Sequence, residues 1–235
     1  NTGIKITNNT FRNVKKNCVN KFYYQVGGIE VSGNQATDVR RFLCAQDIKG
    51  SGDAKYVTHS NTVQNTGEAY KGQDDAFLVL NSSDVAIDKN KAEGFLNGIH
   101  MNGNRNTAVT DNTLSGMTEI GIKVVSCAAD ITGNTATDCG QYNIATYKGC
   151  SGKLENNTYD LNYGILDDGG MKRGNNTLAG HDKEPDYFLI YYHETDTAEA
   201  SPKTAEAYFG GENFLLRAEE LGFSTEGRRF LVWNI

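Results

Sequence analysis

Proline is nearly missing from this chain of 235 residues. Its two copies, Pro185 and Pro202, both fall in the last quarter. Tryptophan occurs once and methionine three times. The chain has 26 glycines, and a glycine-rich body without proline reads as strands and turns, followed by a tail of different character. The formal net charge is -6, and no run of five like charges occurs. That pattern argues against nucleic acid as a partner. No apolar stretch approaches the ~20 residues that a membrane span needs. No signal peptide opens the chain; Asn1-Thr2-Gly3-Ile4-Lys5-Ile6 already reads as repeat, which suggests a processed, truncated or incomplete start.

The five cysteines are an odd number, so no closed disulfide framework is implied. Cys18 and Cys44, and Cys127 and Cys150, are each separated by about one repeat. Stacked free thiols are the expected arrangement. Side chains in register on parallel strands point the same way and not at each other.

What is present is a repeated phrase. Two alternating apolar positions are followed by a turn pair ending in asparagine, then a small or polar residue and another apolar one. It is read in Ile6-Thr7-Asn8-Asn9-Thr10-Phe11, in Val109-Thr110-Asp111-Asn112-Thr113-Leu114 and in Ile131-Thr132-Gly133-Asn134-Thr135-Ala136. The recurring asparagines are Asn9, Asn34, Asn61, Asn90, Asn112, Asn134, Asn157 and Asn176. A second phrase precedes most of them, as in Gly98-Ile99-His100-Met101, Gly121-Ile122-Lys123-Val124 and Asn143-Ile144-Ala145-Thr146. Ala76-Phe77-Leu78-Val79 falls in the same column.

Each repeat of about 22 residues therefore holds two short strands. Helical repeats would need longer apolar-periodic runs, and a propeller blade needs ~40 residues. The remaining solution is an all-β right-handed parallel β-helix of about eight coils, roughly 35–40 Å long at ~4.8 Å per coil. The asparagines are expected to hold the bends as a ladder, tolerating left-handed backbone and bonding from coil to coil. The first-half repeats carry extra material at residues 38 to 56 and 62 to 74, expected to form loops on one face. The phrase stops near residue 181. Residues 1 to 181 read as the β-helix and 182 to 235 as a small α+β cap. Within that cap a strand is expected at Asp186–Tyr192, a helix from Pro202 to Leu221 and a closing strand at Phe230–Trp233.

One cluster could carry chemistry. Gly72-Gln73-Asp74-Asp75 immediately precedes a strand. One coil on, Asn97 is expected in the Asp75 column and His100 in the Leu78 column, with Lys123 one coil further. Gln46-Asp47, 27 residues before Asp74, is placed near the Asp74 column. Alternation turns Ile99, Ile122 and Ile144 inward, so His100 and Lys123 face outward. The alternative is an ordinary Asp-Asp turn pair among solvated side chains. Asp167-Asp168, followed by Gly169-Gly170, reads as a turn. Tyr142, Tyr147 and Tyr163 could give a surface on which a pyranose stacks, or simply cover the coils. No Cys/His spacing supports a zinc site.

The segment Gln73-Asp74-Asp75-Ala76-Phe77-Leu78-Val79-Leu80-Asn81-Ser82 resembles the paired-aspartate segment of polygalacturonases and related β-helix glycoside hydrolases of the pectate-lyase-like superfamily. The resemblance implies inverting hydrolysis, with Asp75 as general acid, Asp74 and Asp47 activating water, His100 nearby, and Lys123 at the position of a substrate-binding arginine. Asn97 and Tyr142 would contact the sugar. Three features depart from the family pattern. Asn97 stands where the family has its histidine, Lys123-Val124-Val125 replaces an Arg-x-Lys segment, and Asn65-Thr66-Gly67 replaces an Asn-Thr-Asp triplet. No resident cofactor is implied; a Ca²⁺ ion, as in many pectate-lyase-like proteins, stays open without a signature loop.

The leading expectation is binding and cleavage of an extended polysaccharide, with an anionic one suited to Lys123, outside the cell or on a virion or cell surface. A lyase or epimerase would instead use Lys123 to neutralise a uronate and His100 or a tyrosine to take the C5 proton. A third reading is a non-catalytic rod, such as a homotrimeric phage tailspike or a bacterial adhesin.

Overall fold

The computed structural model describes residues 3–22, 28–50, 55–160, 164–183, 187–192 and 204–208. Its contacts divide the chain into two compact units, Asn1–Glu184 and Pro185–Ile235.

The first unit is an all-β parallel solenoid of about seven turns. Three sheets run its length. The first has eight strands, from Ile4–Thr7 to Lys172–Gly174; the second has eight, from Thr10–Arg12 to Thr177–Leu178; the third has seven, from Asn17–Phe22 to Ile165–Asp167. Each turn thus has three strands, where the sequence pattern suggested two. The asparagine phrase is broken by a bend into one strand and a further three-residue strand, as at Ser83–Asp88 and Lys91–Glu93. Among the described residues no helix is long and apolar enough to cross a membrane.

Columns of apolar side chains fill the interior. Ile87, Val109, Ile131 and Leu154 stack on the first sheet. Leu43, Phe77, Ile99, Ile122 and Ile144 stack on the third. All nine are fully buried, and burying such a side chain stabilises by ~1.5–3 kcal/mol. β-branched residues suit these pleated, crowded positions. At the N-terminal end three rings continue the column edge to face, Phe11 to Phe42 at 6.1 Å and Phe42 to Phe77 at 5.5 Å.

The asparagine ladder runs through all eight expected residues. The backbone N–H of Asn112 donates to Oδ1 of Asn134 at 3.0 Å, and Asn112 Nδ2 donates to the same oxygen at 2.9 Å. A second bond from Asn112 Nδ2 reaches the carbonyl of Ile87, also at 2.9 Å. Asn9, the first of the ladder, is exposed, whereas Asn34 to Asn176 are buried. The left-handed residue is not the ladder asparagine but the one before it: Asn8, Gly33, Ser60, Lys89, Asp111, Gly133, Asn156 and Asn175 all have positive φ. Exposed polar residues and glycine supply that bend, and the buried asparagine that follows satisfies the freed amides.

A second, mixed ladder runs along another corner. Ile48 N–H donates to Ser82 Oγ, Ser82 N–H to Asn104 Oδ1, and Asn104 N–H to Cys127 Sγ at 3.3 Å. Cys150 stands one coil beyond Cys127, next to the Ala128–Ser151 bridge. All five cysteines are free thiols. Cys18 and Cys44 do not share a column, since Cys44 lies opposite Asn20.

In the second unit, Tyr187–Tyr192 pairs antiparallel with Thr204–Tyr208. The second strand lies where the sequence suggested the first part of a helix. The rest of that helix and the closing strand at Phe230–Trp233 lie outside the described residues.

Candidate functional site

The outer wall of the third sheet gathers most of the residues singled out above. Leu78, His100, Lys123 and Ala145 occupy one column in consecutive coils. The inward neighbours Ile99, Ile122 and Ile144 hold this phase, so His100 and Lys123 face outward, each partly exposed.

Asp75 closes the turn just before Phe77–Leu80 and is buried. One carboxylate oxygen takes a bond from Asn97 Nδ2 at 2.7 Å, and the other lies 3.0 Å from His100 Nδ1. Burial raises the Asp75 pKa, but the bonds from His100 and Asn97, with the charges of His100 and Arg41, outweigh it and hold the carboxyl below its ordinary value. A carboxylate can only accept, so Nδ1 carries the hydrogen and the Nε2 lone pair is directed away from Asp75. The His100 side chain is 22 % exposed.

Asn97 is spent inside the wall. Its Nδ2 holds Asp75, and its Oδ1 accepts from the Ile120 N–H at 3.2 Å. It fixes Asp75 rather than offering an amide to solvent.

Asp74 is held by two arginines that the sequence reading did not connect with it. Arg40 Nε lies 3.2 Å from one oxygen, Arg41 Nη2 contacts the other, and that second oxygen also accepts the Asp75 N–H at 2.9 Å. Counting back 27 residues pointed to Asp47. The register pairs Leu43 with Phe77, an offset of 34, because the connections at residues 47–55 and 65–76 are both longer than their counterparts in the next coil. Asp47 therefore stands at the other end of the strand, where its N–H donates to Leu80 O and its φ is 55°. It is a bend residue and does not join Asp74. Arg41 lies beside this turn because Phe42 N–H donates to Ala76 O.

Tyr142 lies one coil beyond Ile120, its carbonyl accepting the Gly121 N–H. Tyr147 follows Ala145 by two residues. Burial raises its phenol pKa, and nearby Tyr142 and Glu119 add to the shift. Two of the three expected tyrosines therefore lie together next to the Lys123 coil; Tyr163 is outside the described residues. Asp167 accepts the Thr146 hydroxyl at 2.6 Å, a turn-holding contact.

The arrangement can orient an imidazole for proton transfer beside an ammonium. It does not offer the free pair of acids that inverting hydrolysis requires, since Asp75 is held ionised and Asp74 is neutralised by arginines.

No curated protein and no solved structure matches the chain. A family model does: that of NosD, described as a periplasmic copper-binding protein, matches residues 30–181, more than half of the chain and all of the wall described above. The chain belongs to the NosD family, a family of right-handed β-helix domains.

Proposed function

We propose that this wall binds an acidic polysaccharide and transfers the C5 proton of a uronate sugar, as a lyase or epimerase. The observation that carries the reading is the 3.0 Å contact between Asp75 Oδ2 and His100 Nδ1, with Lys123 in the next coil. Asp75 fixes the tautomer and orientation of the ring, and His100 Nε2 accepts the C5 proton. The electron pair left at C5 spreads into the sugar carboxylate, whose growing charge Lys123 stabilises. Loss of the C4–O bond with its electron pair, and protonation of the leaving oxygen, gives an unsaturated sugar. Return of a proton to the opposite face of C5 gives the epimer. Tyr142 and Tyr147 supply a face on which the neighbouring ring packs.

The family description places NosD in the periplasm. That compartment suits a polysaccharide ligand, and we assign the chain there. Copper fits the described residues less well. No group of three or more His, Cys, Asp or Glu converges among them. Sγ of Cys127 lies 3.1 Å from the Val125 carbonyl and that of Cys150 lies 3.4 Å from the Val124 carbonyl, and burial raises the pKa of Cys127. A thiolate is the copper-binding form. No step of the reading passes through a metal.

The test follows the step common to both outcomes. Oligogalacturonates and oligomannuronates are incubated with the protein in D₂O, and deuterium at C5 and ultraviolet absorbance of unsaturated products are measured. Exchange that disappears in His100→Gln supports the reading. Binding with neither C5 exchange nor unsaturated product in the parent protein overturns the chemistry in favour of a binding rod, and release of saturated reducing ends would return the hydrolase.

A further inference from the structure

Beside Asp74 lies a cavity of about 370 Å³, lined by Lys16, Asn17, Asn20, Arg40, Arg41 and Asp74. Three cations face one carboxylate there, although the chain as a whole carries -6. Asp74 is already taken up by the two arginines. Arg41 Nε is nevertheless buried without a hydrogen-bond partner. An unpaired buried N–H on a charged group is costly, so the guanidinium gains by turning toward an acceptor that arrives in this cavity. Lys16 is exposed and forms no ion pair among the described residues.

The cavity adjoins the Asp75–His100 pair. Asp74 and Asp75 are consecutive, and the Arg41 charge contributes to the lowered pKa of Asp75. Arg41 stands opposite Asn17 in the third sheet. The strands carrying Asn17, Arg41, Phe77, His100 and Lys123 are consecutive in that sheet, so the row spans about 19 Å at ~4.8 Å per coil. That length takes more than one pyranose ring. In a chain of net charge -6 this row gathers Lys16, Arg40, Arg41 and Lys123, and a polyanion is attracted to it.

We propose that Lys16, Arg40 and Arg41 form a second subsite, which holds the carboxylate of another uronate in the same polysaccharide, on the N-terminal side of the residue positioned at His100. The inference rests on the acidic-polysaccharide reading of the wall. Guanidinium forks and an ammonium bind a carboxylate through charge-assisted bonds, and Asp74 fixes the two arginines without cancelling the cluster's charge.

The experiment uses the full chain. Oligogalacturonates and oligomannuronates of two to six residues are titrated calorimetrically into His100→Gln protein, with and without Lys16→Ala and Arg40→Ala together. Arg41 and Asp74 are kept so that the surroundings of Asp75 are preserved, and both substituted side chains are exposed. The subsite predicts about a tenfold or greater loss of affinity for the longer oligomers and no change for the dimers. Equal affinities at every length overturn it, as does a parent protein that binds none of these oligomers. If the length-dependent loss occurs but the parent gives neither C5 exchange nor unsaturated product, the subsite stands and the proton-transfer reading falls. If exchange depends on His100 while the length dependence is absent, the subsite alone falls.

Discussion

Asp75 Oδ2 lies 3.0 Å from Nδ1 of His100, one coil along the stack, and this contact ties the acid stability of the solenoid to its candidate chemistry. The folded-state pKa of Asp75 lies below its ordinary value of 3.8. Stabilisation by the ionised group is therefore fully present above pH 3.8 and is lost as pH falls through the lower, folded value. Asp75→Asn removes it: the new amide keeps one acceptor oxygen, so either the Asn97 amide or the His100 Nδ1–H loses its partner. Thermal midpoints should separate wild type from Asp75→Asn at neutral pH, and the gap should narrow below pH 3.8. A gap independent of pH would show that the carboxylate charge does not matter to the fold.

The coil repeat, the ladder and the outward column of His100 and Lys123 were readable from sequence because each rests on a short fixed spacing. Lys123 follows His100 by 23 residues, and that coil has no insertion. The offset between Leu43 and Phe77 was not readable, because two connections of variable length, residues 47–55 and 65–76, separate them. That error placed Asp47 at the site and hid Arg40 and Arg41. Two adjacent arginines one coil before an Asp-Asp pair were the available signal, and only the register gives it meaning. The position of the bend was also missed by one residue, since asparagine satisfies both the left-handed and the buried role in composition and only burial separates them.

The ladder makes a quantitative prediction. Asn112→Ala and Asn134→Ala each leave a buried N–H of the preceding coil unpaired, together with a buried carbonyl. Each should cost ~1–3 kcal/mol of unfolding free energy in urea. Asn9→Ala, at an exposed residue, should cost less, because water replaces the lost partner. Three equal effects would mean that burial does not set the strength of the ladder.

Thiol chemistry tests the second ladder. Cys44, Cys127, Cys139 and Cys150 are buried, and burial pushes the Cys139 thiol up to about 12. These four should resist alkylation at neutral pH until the chain unfolds. Cys127→Val keeps an apolar side chain, larger by about one methyl group, but removes the acceptor of the Asn104 N–H, whereas Cys127→Ser keeps an acceptor. Cys127→Val should therefore be the less stable of the two in urea. The reverse order would make Cys127 a packing residue only.

His100 and Lys123 stand next to each other in one column but should fail differently. His100→Gln keeps a polar side chain of similar reach and loses the base, so kcat for C5 exchange should fall by about 10²–10⁴-fold with KM nearly unchanged. Lys123→Ala removes a charge that acts on the sugar carboxylate before and during proton transfer. The carboxylate carries more negative charge once C5 has lost its proton, so Lys123→Ala should raise KM and also lower kcat. Lys123→Arg restores the charge and should recover binding more completely than turnover, because the fork is shaped for a planar carboxylate and moves the charge outward. Added salt separates the contributions further. A partly exposed ammonium is screened, so the KM advantage of wild type over Lys123→Ala should shrink as ionic strength rises, while the His100→Gln deficit should not. If both variants lose only kcat, Lys123 holds no substrate charge in the ground state; if both lose only affinity, His100 is a binding residue and the column carries no proton.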